Sequence, residues 1–361
     1  MLAIIAGGNS TTATIKSRPL PTLRPTYLLV KVHAIALNPT DWKHIHRKLA
    51  SPDGSISGCD YSGTVVQVGD QVTKSFSPGD RICGTAHGCN QSQPDDGVFA
   101  EYAMVKGDVA IHIPDGLSFE QAATFPLGVA TVAQGLFQKA LKLRLPYSTP
   151  SGEGEWVLIY GGSSATGSLG IQFAKASGYK VVTTSSPRNF DFVKSRGADE
   201  VFDYNSSSCG ADINKLTDNK LRYVWDTICL ESSAKICDEA FSSDSSLDLK
   251  YGTILPVKLP NKTAETTNTF MYTIFNEAFS KGKNETPANQ EDFEFAKKFM
   301  DITERLIKEG KLQTHPEKVG EGGLAGALKG MKDMQGDKVS GQKLVYRVGE
   351  TEGEGASADY A

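Results

Sequence analysis

Hydrophobic and polar residues alternate in two different ways along the chain. Up to about residue 125, short β-branched and aromatic runs are separated by Gly, Pro and Asp, as at 26–38, 61–69, 80–86 and 99–107. Such runs are typical of β-strands joined by turns. We therefore expect a mainly β N-terminal part, with a first strand in the opening residues.

The pattern changes near residue 126. A helical segment at 129–143 and a turn-rich loop at 146–155 precede apolar strands that alternate with helices as far as about residue 257. Strand–helix alternation predicts a parallel, doubly wound sheet. A further helix is predicted over 291–310, and β character then returns.

These changes indicate that one domain is interrupted by another. We expect a β-rich domain over 1–130, an α/β domain over 131–305, and a return to the first domain over 306–348. The last segment, 349–361, is acidic and rich in glycine, and such a composition predicts a disordered tail.

The turn after the strand at 156–161 is made of small residues. Its sequence, GGSSATG at 161–167, lets the backbone approach a pyrophosphate that the next helix would bind at its positive end. The strict G-x-G-x-x-G spacing is not met, so the motif alone also fits an ordinary Gly-rich turn. The strand before it, the helix after it and a second strand about 20 residues later favour a nucleotide site.

The end of that second strand indicates which nucleotide is bound. NAD enzymes place Asp or Glu there, whereas this chain has Ser185, Ser186, Arg188 and Asn189, with Tyr204 at the end of the next strand. Hydroxyls and a guanidinium suit a 2′-phosphate that a carboxylate would repel. The sequence thus favours NADPH over NADH. The alternatives are a solvated charge for Arg188 and a half-buried core aromatic for Tyr204.

Composition excludes several classes of partner. The net charge is −4 and the isoelectric point about 5.9, which argues against nucleic acid and anionic membranes. No apolar stretch approaches the ~18 residues of a spanning helix, and the N-terminus lacks the features of a signal peptide. The six cysteines are scattered, so we expect a reduced, cytoplasmic protein.

Metal and nucleophile signals are weak. Cys83, His87 and Cys89 have no fourth ligand, and Cys59-Asp60 is an equally poor candidate, so we expect no metal. A G-x-S-x-G elbow is absent. A bound cofactor must therefore carry the reactivity.

Several motifs give the chain a family resemblance. LNPTDWK at 37–43, GCDYSGTVVQVG at 58–69 and the turn at 160–179 resemble the medium-chain dehydrogenase/reductase superfamily, as does the chain from residue 1 to about 348. Zinc alcohol dehydrogenases carry a cysteine near Asn38 and Gly-His-Glu where this chain has Gly58-Cys59-Asp60. The zinc-free branch is therefore the better match. The stretch from Thr184 to Tyr204 is similar to trans-acting enoyl reductases of fungal polyketide synthases and PKS–NRPS hybrids.

The resemblance implies a GroES-like catalytic domain interrupted by a doubly wound Rossmann domain, and it implies site residues. For NADPH these are Thr40, Asp41, Trp42 and Lys43, which would contact its nicotinamide half, and Gly161, Ser163, Ser164, Ala165, Thr166, Ser186, Pro187, Arg188, Asn189, Tyr204, Pro256, Val257, Ser340 and Gly341. For the acyl chain they are Val132, Ala133, Gln134, Gly135, Leu136, Phe137, Gln138, Lys139, Tyr272, Thr273, Ile274 and Phe275.

The expected reaction is NADPH-dependent reduction of an α,β-unsaturated thioester on a polyketide synthase carrier. Lys43 is the candidate to stabilise the enolate, and Thr131 to hydrogen-bond the thioester carbonyl. The alternatives are a surface cation for Lys43 and a helix hydroxyl bonded to backbone or cofactor for Thr131. No residue stands out as the α-carbon proton donor, and water can serve.

Two other functions stay open on the sequence. One is a free-standing NADPH quinone or enone reductase, and the other is a non-catalytic nucleotide-binding scaffold for a synthase. The expected partner is a synthase presenting the carrier-bound thioester, and the resemblance favours a monomer.

Overall fold

The structure is a computed structural model that describes residues 1–149 and 154–361. Residues 150–153, within the loop predicted at 146–155, lie outside the described residues. The chain forms two units: one of residues 1–127, 272–308 and 314–361, and a second of residues 128–271 and 309–313. One unit thus interrupts the other, in the order that the sequence predicts.

The elements are as follows in chain order. The strands are β1 (Leu2–Ala6), β2 (Thr12–Ser17), β3 (Tyr27–Ala36), β4 (Ser55–Ile56), β5 (Asp60–Val68), β6 (Arg81–Thr85), β7 (Tyr102–Lys106), β8 (Ile111–His112), β9 (Trp156–Tyr160), β10 (Lys180–Ser185), β11 (Glu200–Asp203), β12 (Tyr223–Asp226), β13 (Lys250–Thr253), β14 (Glu265–Asn268), β15 (Phe279–Lys281), β16 (Asn284–Thr286), β17 (Glu317–Gly320), β18 (Lys343–Arg347) and β19 (Ser357–Asp359). The α-helices are α1 (Pro39–His46), α2 (Phe119–Ala122), α3 (Pro126–Val132), α4 (Ala165–Ala176), α5 (Phe190–Ser195), α6 (Cys209–Leu216), α7 (Glu231–Ala240), α8 (Gln290–Lys308) and α9 (Gly323–Gln335).

The first unit is built around the long strand β3. It lies in a sheet of order β17-β18-β3-β5-β6-β8, in which β7 also pairs with β3. A second sheet has the order β19-β2-β1-β4, and β15 and β16 form a separate hairpin. Leu28, Val30 and Ile35 of β3 are buried in the main core together with Tyr61 and Phe99. The predicted GroES-like β domain is confirmed.

The second unit is a parallel sheet of order β11-β10-β9-β12-β13-β14. The middle strand β9 pairs with β10 on one side and β12 on the other, so the strand order reverses there. Doubly wound sheets bind ligands beyond the carboxyl ends of the strands at such a switch point. The predicted Rossmann domain is confirmed, and its binding edge follows from the topology.

Helix α4 packs closely on this sheet. A Cβ on Gly170 would lie 2.6 Å from Cζ3 of Trp225 and 3.6 Å from the side chain of Ile159. A glycine is therefore needed for the close contact of helix and strands. The helix expected at 129–143 is shorter, because α3 passes into a π-helix at Ala133–Gln138.

Residues 272–305 lie outside the interrupting domain to which the sequence assigned them. Helix α8 packs against β8 and the 3-10 helix Gly107–Val109 of the first unit. Glu304 accepts bonds from the His112 backbone N–H (2.7 Å) and the Lys74 ammonium (2.6 Å). The contacting groups are far apart in the chain. The local hydrophobic pattern of the sequence therefore does not reveal these contacts.

The prediction of a disordered tail over 349–361 is wrong. Strand β19 pairs antiparallel with β2, with Asp359 opposite Thr12. Tyr360 is fully buried, and its hydroxyl donates to the carbonyl of Leu328 at 2.8 Å. The burial of this large aromatic side chain favours an ordered segment more strongly than the acidic, Gly-rich composition disfavours it.

All six cysteines are free and buried. Within residues 1–149 and 154–361, no helix combines the length and the apolar character needed to cross a bilayer.

Candidate cofactor and acyl site

The Gly-rich turn after β9 is shaped by the packing of the chain itself. Gly161 has φ +84°, and its N–H donates to Oγ1 of Thr184 at 3.0 Å. A Cβ on Gly162 would lie 2.1 Å from Oγ1 of Thr183. Side chains are therefore excluded at both positions, and the turn keeps the narrow form that an approaching pyrophosphate requires.

Ser164 begins helix α4. Its Oγ accepts the N–H of Gly167 at 2.9 Å and lies 3.2 Å from Oγ1 of Thr227. The first residues after a helix cap have backbone N–H groups with no intrahelical acceptor, here those of Ala165 and Thr166. The Ser164 side chain thus serves as the cap, and the backbone amides provide the anion-binding end of the helix.

The predicted 2′-phosphate residues lie after β10 and β11, the two strands on one side of β9. Ser186 precedes the 3-10 helix Pro187–Asn189, and Nδ2 of Asn189 donates to Oγ of Ser186 at 3.3 Å. Arg188 is exposed, and Tyr204 is 41% exposed directly after β11. Neutral polar groups and a guanidinium thus share this edge.

One carboxylate also stands at this edge. Asp203 ends β11, and its Oδ1 accepts two hydrogen bonds from Asn205, each 2.9 Å long. Those bonds occupy the oxygen within its own turn. The hydroxyls, amide and guanidinium at Ser186–Asn189 and Tyr204 are groups that fit a phosphate.

The other half of the edge holds a loop that sequence analysis missed. Asp226 is the last residue of β12 and is fully buried. Its Oδ1 accepts hydrogen bonds from the N–H groups of Ile228 and Cys229, both at 2.9 Å. Its Oδ2 accepts the hydroxyls of Ser233 (2.6 Å) and Tyr251 (2.9 Å). The carboxylate thus fixes the start of the 227–230 loop. The available signal in the sequence was an Asp directly after the short apolar run at 223–225.

Pro256 and Val257 follow β13, two strands from β9 on the same edge. The predicted cofactor residues of the second unit are thereby brought to one edge of one sheet. Ser340 and Gly341 belong to the first unit, just before β18, where Gly341 has φ +66°.

In the first unit, α1 begins at a buried polar cluster. Oδ2 of Asp41 accepts the N–H of Asn38 at 2.6 Å, which closes the first turn of the helix. Burial raises the pKa of Asp41 to about 7. The resemblance implies that the segment Thr40–Lys43 contacts NADPH, and within it Oδ2 of Asp41 binds the backbone at the helix start.

A buried ion pair supports the same helix start. The Lys343 ammonium lies 2.6 Å from Oδ2 of Asp60 and 2.9 Å from Oδ1 of Asn38. Nδ2 of Asn38 donates to Oδ2 of Asp60 at 2.9 Å, and Oδ1 of Asp60 accepts the N–H of Leu127 at 2.7 Å. The network links β18, β5 and the residue before α1.

A chain of hydrogen bonds runs from Tyr272 through α1. Oγ1 of Thr40 lies 3.0 Å from the Tyr272 hydroxyl and 2.9 Å from Nε2 of His44, and Nδ1 of His44 lies 3.1 Å from the carbonyl of Gly88. Burial lowers the pKa of His44 to about 3, so its ring is neutral.

The carbonyl of Gly88 can only accept, so the His44 proton is on Nδ1 and its Nε2 accepts from Thr40. Thr40 has one hydroxyl proton, which goes to His44. The Tyr272 hydroxyl must therefore donate to Thr40. This contact brings together the predicted nicotinamide segment (40–43) and the predicted acyl segment (272–275).

The remaining candidates differ in exposure. Lys43 is half-buried, with its ammonium 5.7 Å from the ring of Trp42. Thr131 lies in α3 and is 9% exposed.

The predicted acyl-lining residues are mostly buried. In the second unit these are Val132, Ala133, Gln134, Gly135, Leu136 and Phe137, with Gln138 and Lys139 half-buried. A Cβ on Gly135 would lie 2.4 Å from Nε1 of Trp225, so this segment packs on β12. In the first unit, Tyr272, Thr273, Ile274 and Phe275 lie in the 3-10 helix Met271–Phe275. There Thr273 donates to Asp292.

Two histidines of α1 are engaged with backbone carbonyls rather than with one another. His44 binds the carbonyl of Gly88, and His46 binds that of Tyr360. In the part of the chain that the structure describes, 1–149 and 154–361, no three His, Cys, Asp or Glu residues are grouped so as to hold a metal ion.

Sequence models of two domains match the chain. That of the alcohol dehydrogenase GroES-like domain matches residues 24–115, and that of the zinc-binding dehydrogenases matches residues 165–244. The first match lies in the first unit and the second in the parallel-sheet unit.

Similar proteins carry a common name. The chain is 42% identical to trans-enoyl reductase resD of Aspergillus sclerotiorum, over 96% of this chain and 100% of that one. It is 44% identical to trans-enoyl reductase ACTTS2 of Alternaria alternata, over 92% of this chain and 95% of that one.

A mycobacterial protein solved in complex with NADPH shares the fold, with a TM-score of 0.67 and 22% identity over 96% and 100% of the two chains.

Proposed function

The chain belongs to the medium-chain dehydrogenase/reductase family, in the group of the trans-enoyl reductases, and on this premise we propose its reaction. The reaction is NADPH-dependent reduction of the α,β-double bond of an acyl thioester presented by the carrier of a polyketide synthase. The chain would act in trans, as a separate protein from the synthase.

The choice of NADPH rests on the residues that follow β9, β10 and β11 at one edge of the parallel sheet. There the turn at 161–166 offers an anion-binding helix end, and Ser186, Arg188 and Tyr204 stand where a dinucleotide carries its ribose. A 2′-phosphate brings two negative charges, which a guanidinium and hydroxyls stabilise. The mycobacterial neighbour that binds NADPH has the same fold.

NADPH, when bound, supplies a hydride for the β-carbon of the substrate. The residues of this chain have three tasks: to hold the cofactor, to orient the thioester, and to stabilise the negative charge that develops on its oxygen. Lys43 would supply a positive charge for that oxygen, and Thr131 a hydroxyl donor. Asp41, Asn38 and Lys343 hold α1, and so fix the backbone from which Lys43 extends.

Turnover with a soluble thioester tests the proposal. Purified protein is mixed with crotonyl-pantetheine and NADPH, and the fall in absorbance of NADPH is followed with identification of the saturated product. We expect turnover with this thioester and much less with small quinones. Turnover with quinones alone would replace the proposal by a quinone reductase, and no turnover with any enoyl thioester would refute it.

Paired variants test the cofactor preference. Arg188→Ala is expected to lower kcat/KM for NADPH by about 10- to 100-fold, because a hydrogen bond to a charged group contributes about 1.5–3 kcal/mol. The value for NADH should hardly change. Lys220→Ala is the control, since this exposed lysine precedes β12 and so lies at the opposite edge of the parallel sheet. Equal losses for both cofactors would contradict the assignment of Arg188.

A Lys43→Ala variant separates enzyme from scaffold. Coexpressed with the synthase, it should yield a less saturated product than the wild-type chain does. Unchanged product would favour a scaffold that orients the synthase without reducing its intermediate.

A further inference from the structure

The proposed reaction leaves one role unassigned, that of the donor for the α-carbon proton. In the first unit, a lysine on the β15–β16 hairpin stands beside the segments assigned to nicotinamide and acyl chain. The Lys281 ammonium lies over the ring of Tyr272, 4.8 Å from its centroid. Tyr272 in turn contacts Thr40 of α1 through its hydroxyl.

The surroundings of Lys281 are aromatic and largely buried. The His87 ring stacks on that of Tyr272 with centroids 4.1 Å apart, and Phe279, two residues before the lysine, meets the His87 ring edge-on at 4.8 Å. Gly282, with φ +63°, makes the hairpin turn next to the side chain of Leu49. The hairpin thus places an amine against the end of α1, and an aromatic face supports its charge.

We propose that Lys281 is a catalytic residue that delivers the proton to the α-carbon of the substrate. This inference rests on the proposed function. After hydride addition at the β-carbon, an Nζ–H bond of Lys281 breaks and its electron pair stays on nitrogen. The enolate π electrons form the new Cα–H bond, and the carbonyl is restored. The neutral amine then takes a proton from water.

The neighbouring groups are less suited to this role. The Tyr272 hydroxyl already donates to Thr40, and burial raises its pKa well above the usual value. Burial keeps the rings of His44 and His87 neutral by lowering the pKa of each. Asp41 is almost fully buried at the start of α1.

The acidity of Lys281 matches the task. Burial lowers its pKa to about 8, so it is mainly protonated at neutral pH and still a usable acid. The groups that face it include Arg47, whose positive charge lowers this pKa further, and the buried thiols of Cys59 and Cys89. His44, His87 and Tyr272 complete its surroundings. The kcat should therefore fall above pH about 8, as the amine loses its proton.

The configuration of the labelled product tests the assignment. Wild-type protein, crotonyl-pantetheine and NADPH are combined in deuterium oxide, which places deuterium on the α-carbon. We expect one configuration from wild-type protein. Lys281→Met should give both configurations, because water then reaches either face of the enolate, with kcat lowered about 100-fold and KM within threefold. The fall in kcat above pH 8 should disappear.

Two further variants complete the test. Lys281→Arg keeps the positive charge but does not release its proton, and it should also give both configurations. Lys283→Met, exposed on the same hairpin, should retain one configuration and the wild-type rate. A single configuration in both Lys281 variants overturns the assignment and leaves the enoyl reductase standing. A wild-type chain that turns over no enoyl thioester overturns both.

Discussion

Lys343→Met tests the buried network that supports α1. Asp60 is fully buried and Lys343 is 4% exposed, with 2.6 Å between the ammonium and Oδ2. Removal of the ammonium leaves a buried carboxylate whose remaining partners, Asn38 and the Leu127 N–H, carry no positive charge. Breaking such a pair from one side costs about 3–5 kcal/mol.

The loss should be largely reversed when the carboxylate is also neutralised. Asp60→Asn in the Lys343→Met background removes the uncompensated charge, and its amide oxygen can still accept the Leu127 N–H. We expect the double variant to be about 2 kcal/mol or more closer to wild type than Lys343→Met alone. The expected recovery separates a charge effect from a general loss of packing.

Hydrogen exchange measured by mass spectrometry reports the change in stability in the unit that contains the network. Because the chain forms two units, peptides of β3 are followed, which report on the first unit by itself. If the free energy of unfolding falls by about 3–5 kcal/mol, amide exchange by global opening in these peptides becomes roughly 10²- to 10⁴-fold faster. Lys338→Met is the control, because this exposed lysine should change exchange hardly at all. Less than fivefold acceleration in Lys343→Met, or no recovery in the double variant, would refute the reasoning.

Variants at three other positions, with a control at Gly349, probe features of the two units. The pKa of Asp41 is raised to about 7 in the fold and lies near 3.9 in an unfolded chain, so wild-type stability should fall as pH rises from about 4 to 7. Asp41→Asn should flatten that slope in urea titrations at several pH values, and an unchanged slope would assign it to another group. Gly170→Val should lower the melting temperature through overpacking of about 1–3 kcal/mol against Trp225, whereas Gly349→Ala, with no atom within 4 Å of its Cβ, should not. Tyr360→Ala should cost about 3–5 kcal/mol, and Tyr360→Phe only the hydroxyl bond, about 1 kcal/mol; equal melting temperatures for the two would show that the ring contributes nothing.

The sequence predicts the elements whose signal is local. The apolar runs at 156–160 and 180–185 are strands, and the small residues of 161–167 form the turn between β9 and α4. Because parallel strands meet at one edge, Ser186 and Tyr204 then come to the same side of the sheet. This part of the site follows from strand order and short spacing.

Other features depend on contacts between distant residues. Lys343 and Asp60 are 283 positions apart, and each looks in the sequence like an ordinary surface charge. Tyr360 lies in a polar segment that gives no sign of a strand. Lys281 was missed because it lies in a hairpin of charged and polar residues, and only the fold places it on Tyr272.

The burial of the cysteines has a consequence for an enzyme that handles activated alkenes. An enoyl thioester is an electrophile that alkylates thiolates. Burial raises the pKa of Cys59 and Cys237 well above the usual value, and that of Cys89 to about 12. At neutral pH these sulfurs stay protonated and weakly nucleophilic. The fold thereby protects the protein from covalent inactivation by its own substrate, even at Cys59, which lies 3.9 Å from the Tyr272 hydroxyl.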